Sequence, residues 1–181
     1  SGGLNVQAVA LPTQDFAFEA QSANTPMVKS QLIAGDRYNL FQFYTLGHGN
    51  VENTRFKVSI SNVKAAGEDG GTDYSVFSVT LRAFGDTDKR KTVVESFNNV
   101  NLDPASPNYI ARRIGDRYYT IDDNGKITEN GDWGNNSKYI RVAPAAQGSY
   151  PVSAAPFAHD AYELPVNAGA ASGSVPVVSF Q

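Results

Sequence analysis

The sequence predicts a mainly β domain, an antiparallel β-sandwich or partly open barrel with one short helix. Three observations predict it. Apolar and polar residues alternate with a period of two in several segments, as side chains do along a strand. The loops joining the clearest of these segments are too short for helical crossovers, so the strands pair antiparallel. A single stretch, 107–114, carries both a helix start and a helix stop.

Taken in order, Val6 to Leu11 and Asp15 to Ala20 are short alternating runs separated by Pro12, and Met27 to Ile33 is a further strand after Pro26. Residues 1–36 are therefore read as leading strands and linker. Tyr38 to Leu46 is the most aromatic segment, with Leu40, Gln42 and Tyr44 on one face and Phe41, Phe43 and Thr45 on the other. Bulk on both faces predicts a central strand covered on two sides. Gly47-His48-Gly49-Asn50 reads as a turn. Arg55 to Val63 then sends Phe56, Val58 and Ile60 inward and Lys57, Ser59 and Ser61 outward. After the glycine-rich acidic loop Ala66 to Asp73, Tyr74 to Phe84 puts Phe77, Val79, Leu81 and Ala83 inward, with Ser78, Thr80 and Arg82 outward. Thr92 to Leu102 completes a meander, with Val94, Ser96, Asn98, Val100 and Leu102 on one side.

Pro104 ends that strand, because it cannot donate to a ladder. Ser106 followed by Pro107 reads as an N-cap and first helical residue. A short helix to Ile114 follows, with Tyr109 or Ile110 and Ile114 toward the core. Arg112 and Arg113 suit its carbonyl end, and Gly115 its C-cap. Asp123-Asn124-Gly125 is a hairpin turn between Arg117 to Asp122 and Lys126 to Glu129. Lys138 to Val142 is a last strand. Residues 37–142 are the β-rich domain, and 143–181, rich in Pro, Ala and Gly, form an extended segment that wraps it or leads elsewhere.

Composition excludes several function classes. A net charge of −3 and a pI near 5.3 argue against nucleic acid as a partner. The lack of cysteine removes disulfides and thiolate chemistry. No apolar run is long enough to span a membrane, and no signal-peptide pattern opens the chain. Ser1-Gly2-Gly3 reads as a trimmed linker, and the chain as a fragment of something longer.

Chemistry is sparse. His48 lies in a glycine turn and His159 in the extended segment, and no nucleophile motif accompanies either, so no enzyme is expected. A calcium loop on Asp122-Asp123-Asn124-Gly125 fails, since its first and last ligand positions would be Thr120 and Gly131. Asp86-Thr87-Asp88 with Lys89-Arg90-Lys91 reads as a solvated, charged hairpin tip, and Glu68-Asp69 as at most a weak cation site. Neither metal nor cofactor is expected. Trp133, Tyr118 and Tyr119 are the aromatics least needed by a core, and they motivate an alternative: a carbohydrate-binding β-sandwich module of a tail or adhesin protein.

Four segments read together resemble one family. They are LFQFYTLGHGNVENTRFKVSISNVK (40–64), DYSVFSVTLRAFGDTD (73–88), VVESFNNVNLDPASPNYIARRIGD (93–116) and NSKYIRV (136–142). Their order is similar to a middle portion of the tail sheath proteins of contractile-tailed bacteriophages. The most specific piece is the run Leu102, Asp103, Pro104, Ser106, Asn108, Tyr109 and Ile110. The resemblance implies a structural subunit of the virion tail, assembled in the host cytoplasm. Such subunits stack as homo-oligomeric hexameric rings around a tail tube and contract to drive it into the host. It further implies that the long terminal arms linking subunits are missing here, so the fragment is expected to be monomeric. The polar outward residues Lys57, Ser59, Ser61, Ser78, Thr80 and Arg82 imply an outer position in the lattice.

Overall fold

The computed structural model describes residues 22–68, 72–159 and 173–179. The runs Val6 to Leu11 and Asp15 to Ala20 lie outside the described residues, as do Asp69 and Asp160. The described chain is mainly β, in two antiparallel sheets of four strands and one separate hairpin. The first sheet contains β1 (Val28–Ser30), β2 (Asn39–Thr45), β8 (Ile140–Pro144) and β9 (Pro156–His159), in the order β8–β2–β1–β9. The second contains β3 (Phe56–Lys64), β4 (Val76–Ala83), β5 (Val93–Asn101) and β10 (Gly173–Ser179), in the order β10–β3–β4–β5. The hairpin is β6 (Tyr118–Ile121) with β7 (Ile127–Asn130).

The expected meander is present as β3–β4–β5, and the aromatic strand β2 is interior to its sheet. Leu40, Phe41 and Phe43 of β2 are fully buried. The sheets meet through their apolar faces: the rings of Phe41 and Phe77 stack at 5.5 Å, and Phe56 packs on Tyr139 at 4.7 Å. The last segment wraps the body rather than leaving it, at least to residue 159: Tyr150, Ala154, Phe157 and His159 are buried and β9 pairs with β1. At one side β9 runs beside β10; at the other, helix α2 (Ile110–Ile114) bridges β5 and β8.

Three local expectations are corrected. A second helix exists: α1 (Gly49–Glu52) occupies the expected turn, with His48 as N-cap accepting a hydrogen bond on Nδ1 from the Asn50 amide at 3.3 Å. Helix α2 is shorter than 107–114, and Ser106 is not its cap. The Ser106 hydroxyl instead accepts from the Asn108 amide at 3.1 Å, and the Asn108 carbonyl accepts from the Asn101 amide at 3.0 Å. That second bond holds the chain extended through Tyr109 (ψ 133°), so helical geometry begins only at Ile110. Ile110 and Ile114 are fully buried and Tyr109 nearly so, as expected.

The third correction concerns β5. Val79 opposes Phe97 while Phe77 opposes Val100, so one extra residue is inserted in β5. Asn99 absorbs it at φ 56°, a left-handed conformation that asparagine tolerates better than most residues. The inward set therefore switches from odd to even numbers at this bulge. Glu95 and Phe97 share the core side with Val100 and Leu102, and Ser96 and Asn98 do not, while Val94, at a second register shift opposite Leu81 and Arg82, packs half-buried against the core. Asn62, at φ 52°, makes the matching bulge in β3 on the other side of β4.

Candidate functional site

The run from Leu102 to Ile110 forms a rigid seam. Leu102 and Ile110 are fully buried. The Asp103 carboxylate accepts from the Ala105 amide at 2.9 Å, a side-chain turn that lets Pro104 leave the sheet. Asn101 Nδ2 donates to the Ser106 hydroxyl at 3.0 Å. Gln147 Nε2 donates at 3.3 Å to both Tyr109 and Tyr150, which ties the seam to the wrapping segment. Burial pushes the Tyr109 hydroxyl up to about 12. All of these residues are committed to packing and turn geometry.

Gly115 follows α2 at φ 109°, and a Cβ there would lie 2.3 Å from the Asn135 Cα. The close approach lets Asn135 clamp the strand entry: its Oδ1 accepts from the Arg117 amide at 3.1 Å and its Nδ2 donates to the Arg117 carbonyl at 2.8 Å. Asp116 accepts from the Trp133 amide at 2.7 Å. Thus the base of the β6–β7 hairpin is fixed on two sides. Its far end is the anticipated turn, where Asp122 Oδ1 accepts from the amides of Asn124 at 2.9 Å and Lys126 at 2.8 Å.

Between these ends the hairpin is exposed. Tyr119 is 62% exposed, Ile127 65% and Ile121 38%. The cross-strand pairs Ile121–Ile127 and Tyr119–Glu129 set these side chains on one face. Trp133 is only partly buried, yet Arg112 lies over its ring at 5.1 Å, so one of its faces is taken.

Under the hairpin lies a cleft of about 380 Å³ whose lining includes Leu46, Arg117, Tyr118, Tyr119, Asn135 and Arg141. The Arg141 guanidinium is sandwiched between the rings of Tyr44, at 4.2 Å, and Tyr118, at 4.3 Å. Desolvation weakens its hold on its proton, although arginine stays charged at any ordinary pH. Sequence reading singled out Tyr118 and Tyr119 but missed Arg141. The signal was available, because pairing the aromatic strand antiparallel with KYIRV sets Arg141 opposite Tyr44.

The largest departure from the sequence reading is at Asp86. The exposed-tip expectation holds for Lys89, Arg90 and Lys91 but not for Asp86, whose side chain is 1% exposed. Arg82, expected to face outward, is buried and grips Asp86 with two bonds, at 2.8 and 2.7 Å. Lys57 Nζ adds an ion pair at 2.7 Å and the Thr92 amide a hydrogen bond at 2.7 Å. Arg82, helped by Lys57 and Thr92, holds the Asp86 carboxyl well below the usual carboxylate range against the opposing cost of burial. Ser59 and Ser78, also assigned outward, are buried too, so that face is not an open polar surface.

Of the histidines, His48 caps α1 and His159 is buried in β9. Among the described residues no group of three or more His, Cys, Asp or Glu could hold a metal ion. No helix among them is long and apolar enough to cross a membrane. Compared with known proteins, the chain matches no family model, no curated relative and no solved structure.

Proposed function

We propose that this chain is a structural domain of a phage contractile tail sheath subunit, in a longer protein that stacks in hexameric rings around the tail tube. The observation that carries the reading is the β6–β7 hairpin. A two-stranded hairpin is marginal by itself, and this one holds Tyr119, Ile121 and Ile127 in solvent. Exposed apolar side chains grouped on a rigidly based projection suit a contact surface for a neighbouring subunit. The clamped base and the Leu102–Ile110 seam support the same reading, because a lattice that switches between two packings needs stiff units and discrete contacts. His48, Arg82 and Asp86 are engaged structurally, and the proposal assigns the chain no catalytic step.

The argument for an outer position changes. It rested on a polar face of which Ser59, Ser78 and Arg82 are buried, so the contact surface is assigned to the hairpin instead. The test is imaging of the full-length parent with and without Tyr119→Ser and Ile127→Ser. Rings or tubes from the parent, impaired by the paired substitutions, are expected. A parent that stays monomeric under all assembly conditions refutes the reading.

A further inference from the structure

We infer that the cleft between β2, β8 and the base of the β6–β7 hairpin is a binding site for a carboxylate-bearing sugar. The inference stands independently of the sheath reading. Its centre is Arg141, whose side chain has no hydrogen bond or ion pair to a protein acceptor among the described residues. By contrast, Arg82 and Lys57 converge on Asp86, and Arg117 Nε lies 2.8 Å from Glu129. Asp116 contributes to the field at Arg141, but its oxygens are held by the amides of Trp133 at 2.7 Å and Asp132 at 3.3 Å.

A guanidinium stacked on both faces keeps its donor edge, and that planar fork matches a carboxylate with two parallel bonds. Stacking between Tyr44 and Tyr118 also fixes its orientation before a ligand arrives, which lowers the ordering cost of binding. Arg117, already paired with Glu129, borders the same lining, so Arg141 is the cation left to the ligand. Tyr118 and Leu46 add apolar surface to the lining, of the kind that sugar C–H faces cover, whereas the Tyr119 ring lies with Ile121 and Ile127 on the other face of the hairpin. The volume, about 380 Å³, falls at the small end of ligand pockets, a size for one or two rings rather than a long chain. A single acidic side chain of a protein partner would use Arg141 but fill little of that volume, and for this reason the sugar is favoured.

The experiment titrates the full chain with glucuronate, with glucose, inorganic phosphate and an oligo-aspartate peptide as comparisons, read by calorimetry and amide NMR shifts. Saturable glucuronate binding is expected, at least about tenfold tighter than glucose and weakened by salt, since charged hydrogen bonds carry it. Arg141→Lys keeps the charge but loses the fork, and affinity should fall about tenfold with the melting temperature unchanged. Should that variant fold poorly, Leu46→Ser removes apolar lining at a position 38% exposed and should still weaken glucuronate severalfold. Equal affinity for glucose and glucuronate, or unaltered binding in both variants, overturns the inference. Tighter binding of phosphate or of the aspartate peptide than of glucuronate also overturns it, in favour of another anion or an acidic protein partner.

Discussion

Replacing Asp86 by alanine tests whether the buried ion cluster beside the β4–β5 turn holds the second sheet together. The substitution leaves Arg82 beneath the surface with Asp88 alone, 2.9 Å away on a side chain that is 81% exposed. It also removes the ion pair of Lys57, which keeps its bond to the backbone carbonyl of residue 86 at 2.7 Å, and leaves the Thr92 amide without its acceptor. Removing one partner of a buried pair costs about 3–5 kcal/mol. Here the cluster sits at a hairpin, near water, and Asp88 and solvent screening compensate in part, so about 2–3 kcal/mol is expected. With a urea slope of roughly 2 kcal/mol/M, the midpoint should fall by about 1–1.5 M at neutral pH. The acid limb gives a second reading of the same group. The Asp86 carboxyl is depressed below its unfolded value of about 4, so its contribution is complete above that value and is lost as pH falls through the folded one. Wild-type stability should therefore drop below about pH 4 more steeply than that of Asp86→Ala, and the gap between them should narrow. A midpoint shift below about 0.3 M with an unchanged slope, or parallel acid limbs, would falsify the assignment.

The other predictions address the seam, the glycine stop, the hairpin and metals. Leu102→Ala and Tyr109→Ala should each cost about 2–4 kcal/mol in chemical denaturation, because both side chains are buried where α2 meets the sheets. Gly115→Ala should be at least as damaging, since its Cβ would meet the Asn135 backbone at 2.3 Å, and a melting temperature equal to wild type would contradict the clamp. Ile127→Ser, at a position 65% exposed, should change stability by less than about 0.5 kcal/mol while impairing assembly of the parent. A chelator should leave the melting temperature unchanged, and a large drop would point back to the carboxylates near Asp122 or Glu68.

Much of the fold was legible because a strand's side-chain period is two, a property of single residues read in order. Phe56, Val58 and Ile60, or Phe77, Val79 and Leu81, announce their face without reference to any other segment. Gly115 and the Asp123-Asn124-Gly125 turn were readable for the same reason, since the backbone conformations they adopt are local preferences. Tertiary structure decided what depends on a distant partner. The bulge at Asn99 exists only against β4, and it reversed the inward set of β5. Ser106 looked like a helix cap until Asn101 captured the Asn108 carbonyl and held Tyr109 extended. Arg82 and Asp86 read as surface charges because sequence shows their polarity but not the bonds that make burial tolerable. Arg141 became a candidate site residue only when pairing of β2 with β8 brought Tyr44 to one side of it and the hairpin brought Tyr118 to the other, because a stack is a property of three strands and none of them encodes it alone.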